Sequence, residues 1–284
     1  MTNKTLDMLW SKMKKILPYI ILIIMLSISM VPLLSMLGTA FRSKETLMTT
    51  RTIFPQEWSL YFFKNVLSDK RVLIYFKNSF VVAAVVSMVT VFIAVLGGYS
   101  LSRFRKTVKG IKQYSIFLLM LQMFPIIQVI IPLYLTFQAF GIINKPYTLM
   151  IAYPALILPM GLWMMQSFID GVPYDMEEAG LIDGCTRIQV LFKLVIPVSK
   201  PGIASMAILA FNQSWNEFLM AMLLVKNNSY RTMPVGLQNY MQENNSDWGS
   251  ILAAATLMVI PVLLFLNVLQ KNIVSGLTMG AIKG

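Results

Sequence analysis

The chain has 284 residues, of which 57% are apolar and 13% charged, with a formal net charge of +12, a single cysteine and no histidine. Its apolar residues gather in blocks of about 20, the length that crosses a roughly 30 Å hydrocarbon core, so an ordinary soluble domain is excluded. Cys185 alone allows no intrachain disulfide and no cysteine-based metal site, and without histidine the commonest general base and metal ligand are missing.

The fold class expected is all-α: a polytopic membrane protein with six transmembrane helices. Residues 1–15 form a basic N-terminus with Lys4, Lys12, Lys14 and Lys15. The first span, Ile16 to Leu37, exceeds the 7–15-residue apolar core of a signal peptide and has no convincing cleavage site after it, so it is expected to be retained. Residues 38–77 form a long outer loop. The second span runs from Asn78 to Leu101, the third from Ile111 to Leu135 and the fourth from Tyr147 to Phe168. The fifth covers Pro201 to Leu224 and the sixth Ile251 to Leu269, followed by a tail, 270–284. Spans two to six, 78–269, make one transmembrane domain with a polar loop at 170–200.

Basic residues in short loops set the direction. Arg103, Arg105, Lys106 and Lys109 between spans two and three, with Lys112 at the edge of the third, come with no acidic residue, against only Lys145 between spans three and four. The first of these loops is therefore cytoplasmic, and so are both termini. The seven basic residues between Gly38 and Lys77 do not oppose this, because long loops cross largely regardless of charge. The same bias explains the positive charge, and no nucleic-acid partner is expected. Pro125 and Pro132 interrupt the third span, Pro154, Pro159 and Gly161 the fourth, and Pro261 the sixth. In lipid, such breaks are tolerated beside neighbouring helices or water-lined cavities.

The loop from Asp170 to Lys200 is the most informative segment. Pro173 suits a helix start, Asp175, Glu177 and Glu178 favour the positive end of its dipole, and Gly184 can end it in the left-handed region. A second helical run, Arg187 to Val195, is expected to stop before Pro197. Ala179 and Gly180 leave a patch without bulk for another protein to approach, and Glu177, Glu178 and Asp183 offer charge to basic partners. An ordinary amphipathic surface helix would look the same.

Glu178-Ala179-Gly180, Gly184, Leu194, Ile196 and Pro197 resemble the EAA loop of ABC importer permeases. That pattern is Glu-Ala-Ala, three residues, Gly, nine residues, Ile, one residue, Leu-Pro, and the spacing fits at every position. Gly180 replaces the second alanine, Leu194 the isoleucine and Ile196 the leucine; Gly180 should weaken the helix by about 1 kcal/mol. Gly97 to Phe104, Pro125 to Pro132, Trp215 to Phe218 and the ending Gly276 to Gly284 are similar to the maltose-type, MalG-like sugar permeases. The resemblance covers nearly the whole chain. It implies the type I importer permease (MetI-like) fold, with 78–269 as the transmembrane domain, in a bacterial plasma membrane. It also implies a second homologous permease subunit, two ATPase subunits and a solute-binding protein as partners, and a sugar, di- or oligosaccharide, as cargo. The loop would then sit in a cleft of the ATPase subunit through Glu177, Glu178, Ala179, Gly180, Asp183, Gly184 and Pro197, and the C-terminal tail would reach the interface between the ATPases.

Glu217 is the one acidic residue within an expected span, flanked by Asn212, Gln213, Ser214, Trp215 and Asn216. A carboxylate at mid-membrane costs roughly 3 kcal/mol or more, so it should face the bundle interior, water or a partner. Asn212, Trp215, Asn216 and Glu217 either line the pathway for a sugar or form a polar clasp between helices. The outer segment Lys226 to Gly249 is either a passive polar loop or, as the resemblance implies, a contact for the binding protein through Gln238, Asn239, Tyr240 and Gln242.

No Gly-Lys dipeptide occurs, so the chain has no P-loop, and ATP and Mg would be bound by partner subunits, with no cofactor held by this chain. A catalytic role is not expected: histidine, a nucleophile motif and a metal cluster are all missing. An ATP-independent secondary transporter is the alternative, but it would favour paired broken helices and an internal repeat, and no clear repeat is present.

Overall fold

The computed structural model describes residues 2–49, 52–105, 107–241 and 246–280, with side chains placed within 13–269. Among these residues every regular element is helical. Four helices are long and apolar enough to cross a membrane, and two sharply bent pairs raise the number to six if each pair is one span. The chain divides into two compact units: 1–69 with 239–257, and 70–238 with 258–284.

The first unit holds α1 (Thr2–Ala40), α2 (Tyr61–Ser68) and the start of a later helix. The apolar side chains of α1 from Ile16 to Leu34 are exposed, as expected of a helix whose solvent is lipid. The connection after α1 is not the plain loop expected. Arg42 is buried and donates to the carbonyls of Leu47 and Thr52. The Phe41 ring packs 5.5 Å from Trp58 and 4.7 Å from Phe63, anchoring α2.

The second unit is built on α3 (Lys70–Arg103), which starts eight residues before the expected span at Asn78. Hydropathy finds only the part of a helix inside lipid; the basic turns of α3 extend beyond it. Then come α4 (Ile111–Leu121), α5 (Ile126–Ala139) and α6 (Thr148–Asp170). The third span is therefore not continuous: α4 and α5 meet at 97°. Pro125 has no N–H to extend α4 and instead opens α5 with extended backbone.

After α6 the chain forms α7 (Tyr174–Ile182), α8 (Arg187–Val190), a π-helical turn (Leu191–Val195), α9 (Ile196–Val198) and α10 (Lys200–Asn216). Helical structure thus runs on through Pro197 to Val198, because proline is accepted in the first turn of α9. The segment 187–198 and α10 then diverge by 79°. The fifth span also breaks: α10 ends at Asn216, and α11 (Leu219–Leu224) follows after Glu217 and Phe218. Beyond it lie α12 (Met233–Gly236) and α13 (Trp248–Gly280), which begins in the first unit and ends in the second.

Helices α3, α6 and α10 enclose the core of the second unit. Val82, Val86, Ala94, Tyr153, Ile157, Met165, Met206 and Ala210 are all buried there. Gly98 lets α3 pack closely against α6. A Cβ at this position would lie 2.7 Å from the Met165 Cβ and 2.8 Å from the Gln166 backbone nitrogen. Neither atom can swing away. Gly98→Ala should therefore lower stability by about 1–3 kcal/mol, read as a fall in melting temperature of the detergent-solubilised protein.

Candidate coupling site and translocation cavity

The polar loop folds as a short helix, a left-handed turn and a return. Pro173 precedes α7 with extended backbone, and Gly184 ends it at φ +83°. Thr186 then starts α8 with a reciprocal cap: its Oγ1 accepts from the Gln189 N–H at 3.3 Å, and its own N–H donates to Gln189 Oε1 at 2.8 Å.

The two adjacent glutamates of α7 face different surroundings. Glu177 is 1% exposed, whereas Glu178, Ala179, Asp183, Gly184 and Pro197 are exposed. Arg103, at the end of α3, donates from Nε to Glu177 Oε1 at 2.6 Å. The Tyr99 hydroxyl donates to Glu177 Oε2 at 3.0 Å. Arg103 Nη2 also reaches the carbonyls of Ile169 and Val172, at 3.0 Å each. Ser102 Oγ donates to Asp170 Oδ1 at 2.5 Å and accepts from Arg103 Nη1 at 2.9 Å.

Two expectations are corrected here. Glu177 offers no charge to a basic partner, because its carboxylate is consumed inside the fold by Arg103 and Tyr99. Gly180 is not a patch for an approaching protein either. It is buried, and a Cβ there would lie 2.6 Å from Leu194 Cδ1, so its smallness seats the returning helix against α7. Arg103 had counted only toward the loop's positive charge, and both it and Tyr99 only as part of the run from Gly97 to Phe104. Their spacing of four places them on one helix face, which was the available signal.

A second site opens where the breaks in two spans meet. A cavity of about 620 Å³ is lined from the α4–α5 break by Gln122, Phe124 and Ile126 and from the end of α10 by Gln213, Ser214, Asn216 and Glu217. Tyr153 and Pro159 of α6 form another wall. The size falls within the roughly 300–1,000 Å³ usual for small-molecule sites.

Glu217 touches this cavity but is heavily engaged. Its Oε1 accepts from the Met220 N–H at 2.9 Å, and its Oε2 accepts from the Ala221 N–H at 3.1 Å and the Tyr153 hydroxyl at 2.8 Å. It therefore caps the free N–H groups of α11 while tying α11 to α6. Trp215 does not line the cavity. It is 1% exposed, stacks 5.7 Å from Phe211 and donates from Nε1 to the Met258 carbonyl at 3.1 Å. Asn212 is exposed outside the cavity lining and accepts from the Asn216 amide at 2.9 Å. Gln122 and Tyr153 had not been singled out; a glutamine beside a span-breaking proline was the missed signal.

The segment after α11 is more structured than a passive loop. The Met233 N–H donates to Ser79 Oγ at 2.7 Å, and Met233 and Val235 are buried. Gln238 and Asn239 are exposed and Tyr240 is half-buried, while Gln242 lies outside the described residues. Residues 281–284 of the tail and Lys106 lie outside them as well. Among the described residues no group of three His, Cys, Asp or Glu side chains is placed to hold a metal.

Residues 94–279 match the protein family described as the binding-protein-dependent transport system inner membrane component. The chain belongs to this family. It is 36% identical over 233 residues to the sulfoquinovosyl glycerol transport system permease protein SmoH of Agrobacterium fabrum, covering 82% of this chain and 81% of that one. It is 35% identical over 275 residues to the trehalose/maltose transport system permease protein MalG of Thermococcus litoralis, covering 96% and 98%. Its fold is similar to a solved bacterial ABC transporter that imports alginate, with a TM-score of 0.75 at 21% identity, over 92% of this chain and 96% of that one. The chain is thus a multi-pass inner-membrane permease subunit of a binding-protein-dependent ABC importer, MalG-like in kind, and not an enzyme. As in the rest of the family, it holds no cofactor, and ATP belongs to the partner ATPases.

Proposed function

We propose that this permease moves a sugar, a di- or oligosaccharide, by alternating access, paired with a second homologous subunit and driven by two ATPase subunits. The observation that carries this reading is the cavity at the two span breaks. It combines amide side chains (Gln122, Gln213 and Asn216) with the aromatic rings of Tyr153 and Phe124, the mixture of planar polar groups and apolar faces that suits a sugar. The sugar-related names of SmoH and MalG support the same cargo class.

In this reading both termini are cytoplasmic. Two contacts support that orientation. Arg103, beside the basic loop between α3 and α4, touches Glu177 of α7, which places the two loops expected in the cytoplasm at one end. At the other, Asn144 Oδ1 accepts from the N–H groups of Lys226, at 2.5 Å, and Asn227, at 3.2 Å. The exposed surface of Glu178, Ala179, Asp183, Gly184 and Pro197 would meet the ATPase. Gln238, Asn239 and Tyr240 would meet the solute-binding protein. Reversing a 1:99 preference between access states takes about 5.5 kcal/mol, a demand that ATP and the binding protein would meet jointly.

The test is sugar uptake by proteoliposomes holding the full complex. Gln213→Ala with Asn216→Ala should raise the KM for sugar about tenfold, the cost of losing one to two hydrogen bonds. Uptake kinetics unchanged by this pair would remove the cavity from the pathway. Uptake by this chain without an ATPase would overturn the ATP-driven cycle.

A further inference from the structure

The contacts of Arg103 converge three separate elements on one side chain. Its guanidinium is fixed by the Glu177 carboxylate of α7 and by the carbonyls of Ile169 and Val172 at the end of α6, while its own backbone ends α3. The side chains are 8% and 1% exposed, so neither is loosened by solvent. A cation at the C-terminal end of α6 also complements the dipole of that helix. Tyr99 and Ser102 hold the ends of the arrangement, to Glu177 and Asp170 respectively. The Gly98 contact brings α3 and α6 together one turn away.

A five-donor guanidinium serves this geometry as no other side chain would, since it reaches a carboxylate and two carbonyls at once. Folding of the loop helix does not require so many bonds to neighbours; α7 already has Pro173 before it, Gly184 after it and Gly180 packed on Leu194. The surplus joins α7 to the two longest core helices of its unit. Such a joint resists bending between the surface that receives force and the helices that line the cavity, because Tyr153 lies on the same α6 whose end Arg103 grips.

We infer that Arg103 is a positioning residue of the coupling machinery: through Glu177 it bolts α7 to the ends of α3 and α6, so that force applied to the loop moves all three as one body. This inference rests on the ATP-driven sugar transport proposed above. A merely structural salt bridge would affect how much complex assembles. A coupling joint would change how much sugar moves for each ATP hydrolysed.

The experiment measures that ratio in proteoliposomes carrying the complete complex with its binding protein. The decisive variant is Arg103→Met with Glu177→Met, which removes the joint without leaving a lone buried charge, so the fold is retained. Its ratio of sugar moved to ATP hydrolysed should fall about fivefold or more, the lower end of typical coupling strengths. Tyr99→Phe, which loses one hydroxyl and keeps the ring, should lower the ratio in the same direction by less. A wild-type ratio in the double variant overturns the inference, as does a decline of transport and hydrolysis in equal proportion. Should the double variant not assemble, an unchanged ratio in Tyr99→Phe overturns it. Hydrolysis by the wild-type complex that ignores the sugar-loaded binding protein would instead sink the proposed sugar transport itself.

Discussion

Glu177→Ala should cost the folded permease about 3–5 kcal/mol, while Glu178→Ala, its neighbour on the same helix, should leave stability within about 0.5 kcal/mol. The difference follows from direction alone, since successive helical residues point about 100° apart. Removing the Glu177 carboxylate leaves the Arg103 guanidinium buried without its counter-charge, and the Tyr99 hydroxyl without its acceptor. Nearby carbonyls cannot neutralise a cation. Glu178 is exposed and loses only contact with water in the isolated chain. In the complex the order should reverse: losing an exposed charged contact to the ATPase would weaken copurification about tenfold or more. Thermal unfolding of the purified permease, set beside ATPase recovery in pull-downs, reads both effects. Equal melting temperatures for the two variants would contradict the buried position of Glu177.

At the broken fifth span, Glu217→Ala should lower stability by about 2 kcal/mol. Two backbone N–H groups at the start of α11 lose their acceptor, and the Tyr153 hydroxyl loses its partner. A lost cap is worth about 1 kcal/mol, and hydrogen bonds between helices in membranes about 1 kcal/mol. Glu217→Gln should cost about 1 kcal/mol, because one amide oxygen can still accept from the helix start while the Tyr153 hydroxyl turns to accept from the amide. Since Glu217 also borders the cavity proposed to hold the sugar, the alanine variant should slow uptake beyond what its reduced amount explains. A melting temperature unmoved by Glu217→Ala would mean that the carboxylate does not hold the break. The two readings of this residue are thus not exclusive: the clasp sits in the cavity wall.

Much of this was legible without coordinates, and the boundary is physical. Hydropathy adds up over neighbouring residues, so membrane spans and their approximate limits follow from composition. The left-handed turn at Gly184 follows from its missing side chain, and the spacing from Glu178 to Pro197 follows from one local loop. The breaks were less legible. Pro125 marked one, but its effect depends on whether neighbours satisfy the freed carbonyls, and the break at Glu217 carries no proline at all.

What composition determined about this protein is that it crosses a membrane several times, and the loop motif from Glu178 to Pro197 supplied the resemblance to importer permeases that the family match bears out. Only the tertiary structure decided which residues of that loop remain free for a partner. Glu177 and Glu178 are adjacent and chemically identical, so nothing local tells them apart. Their roles separate because Arg103, 74 residues before Glu177, arrives beside one of them at the end of another helix. Trp215 and Glu217 divide in the same way, one into an aromatic core against α13 and the other into the cavity wall. Buried charge must be matched by its neighbours in space, and the chain order does not reveal those neighbours.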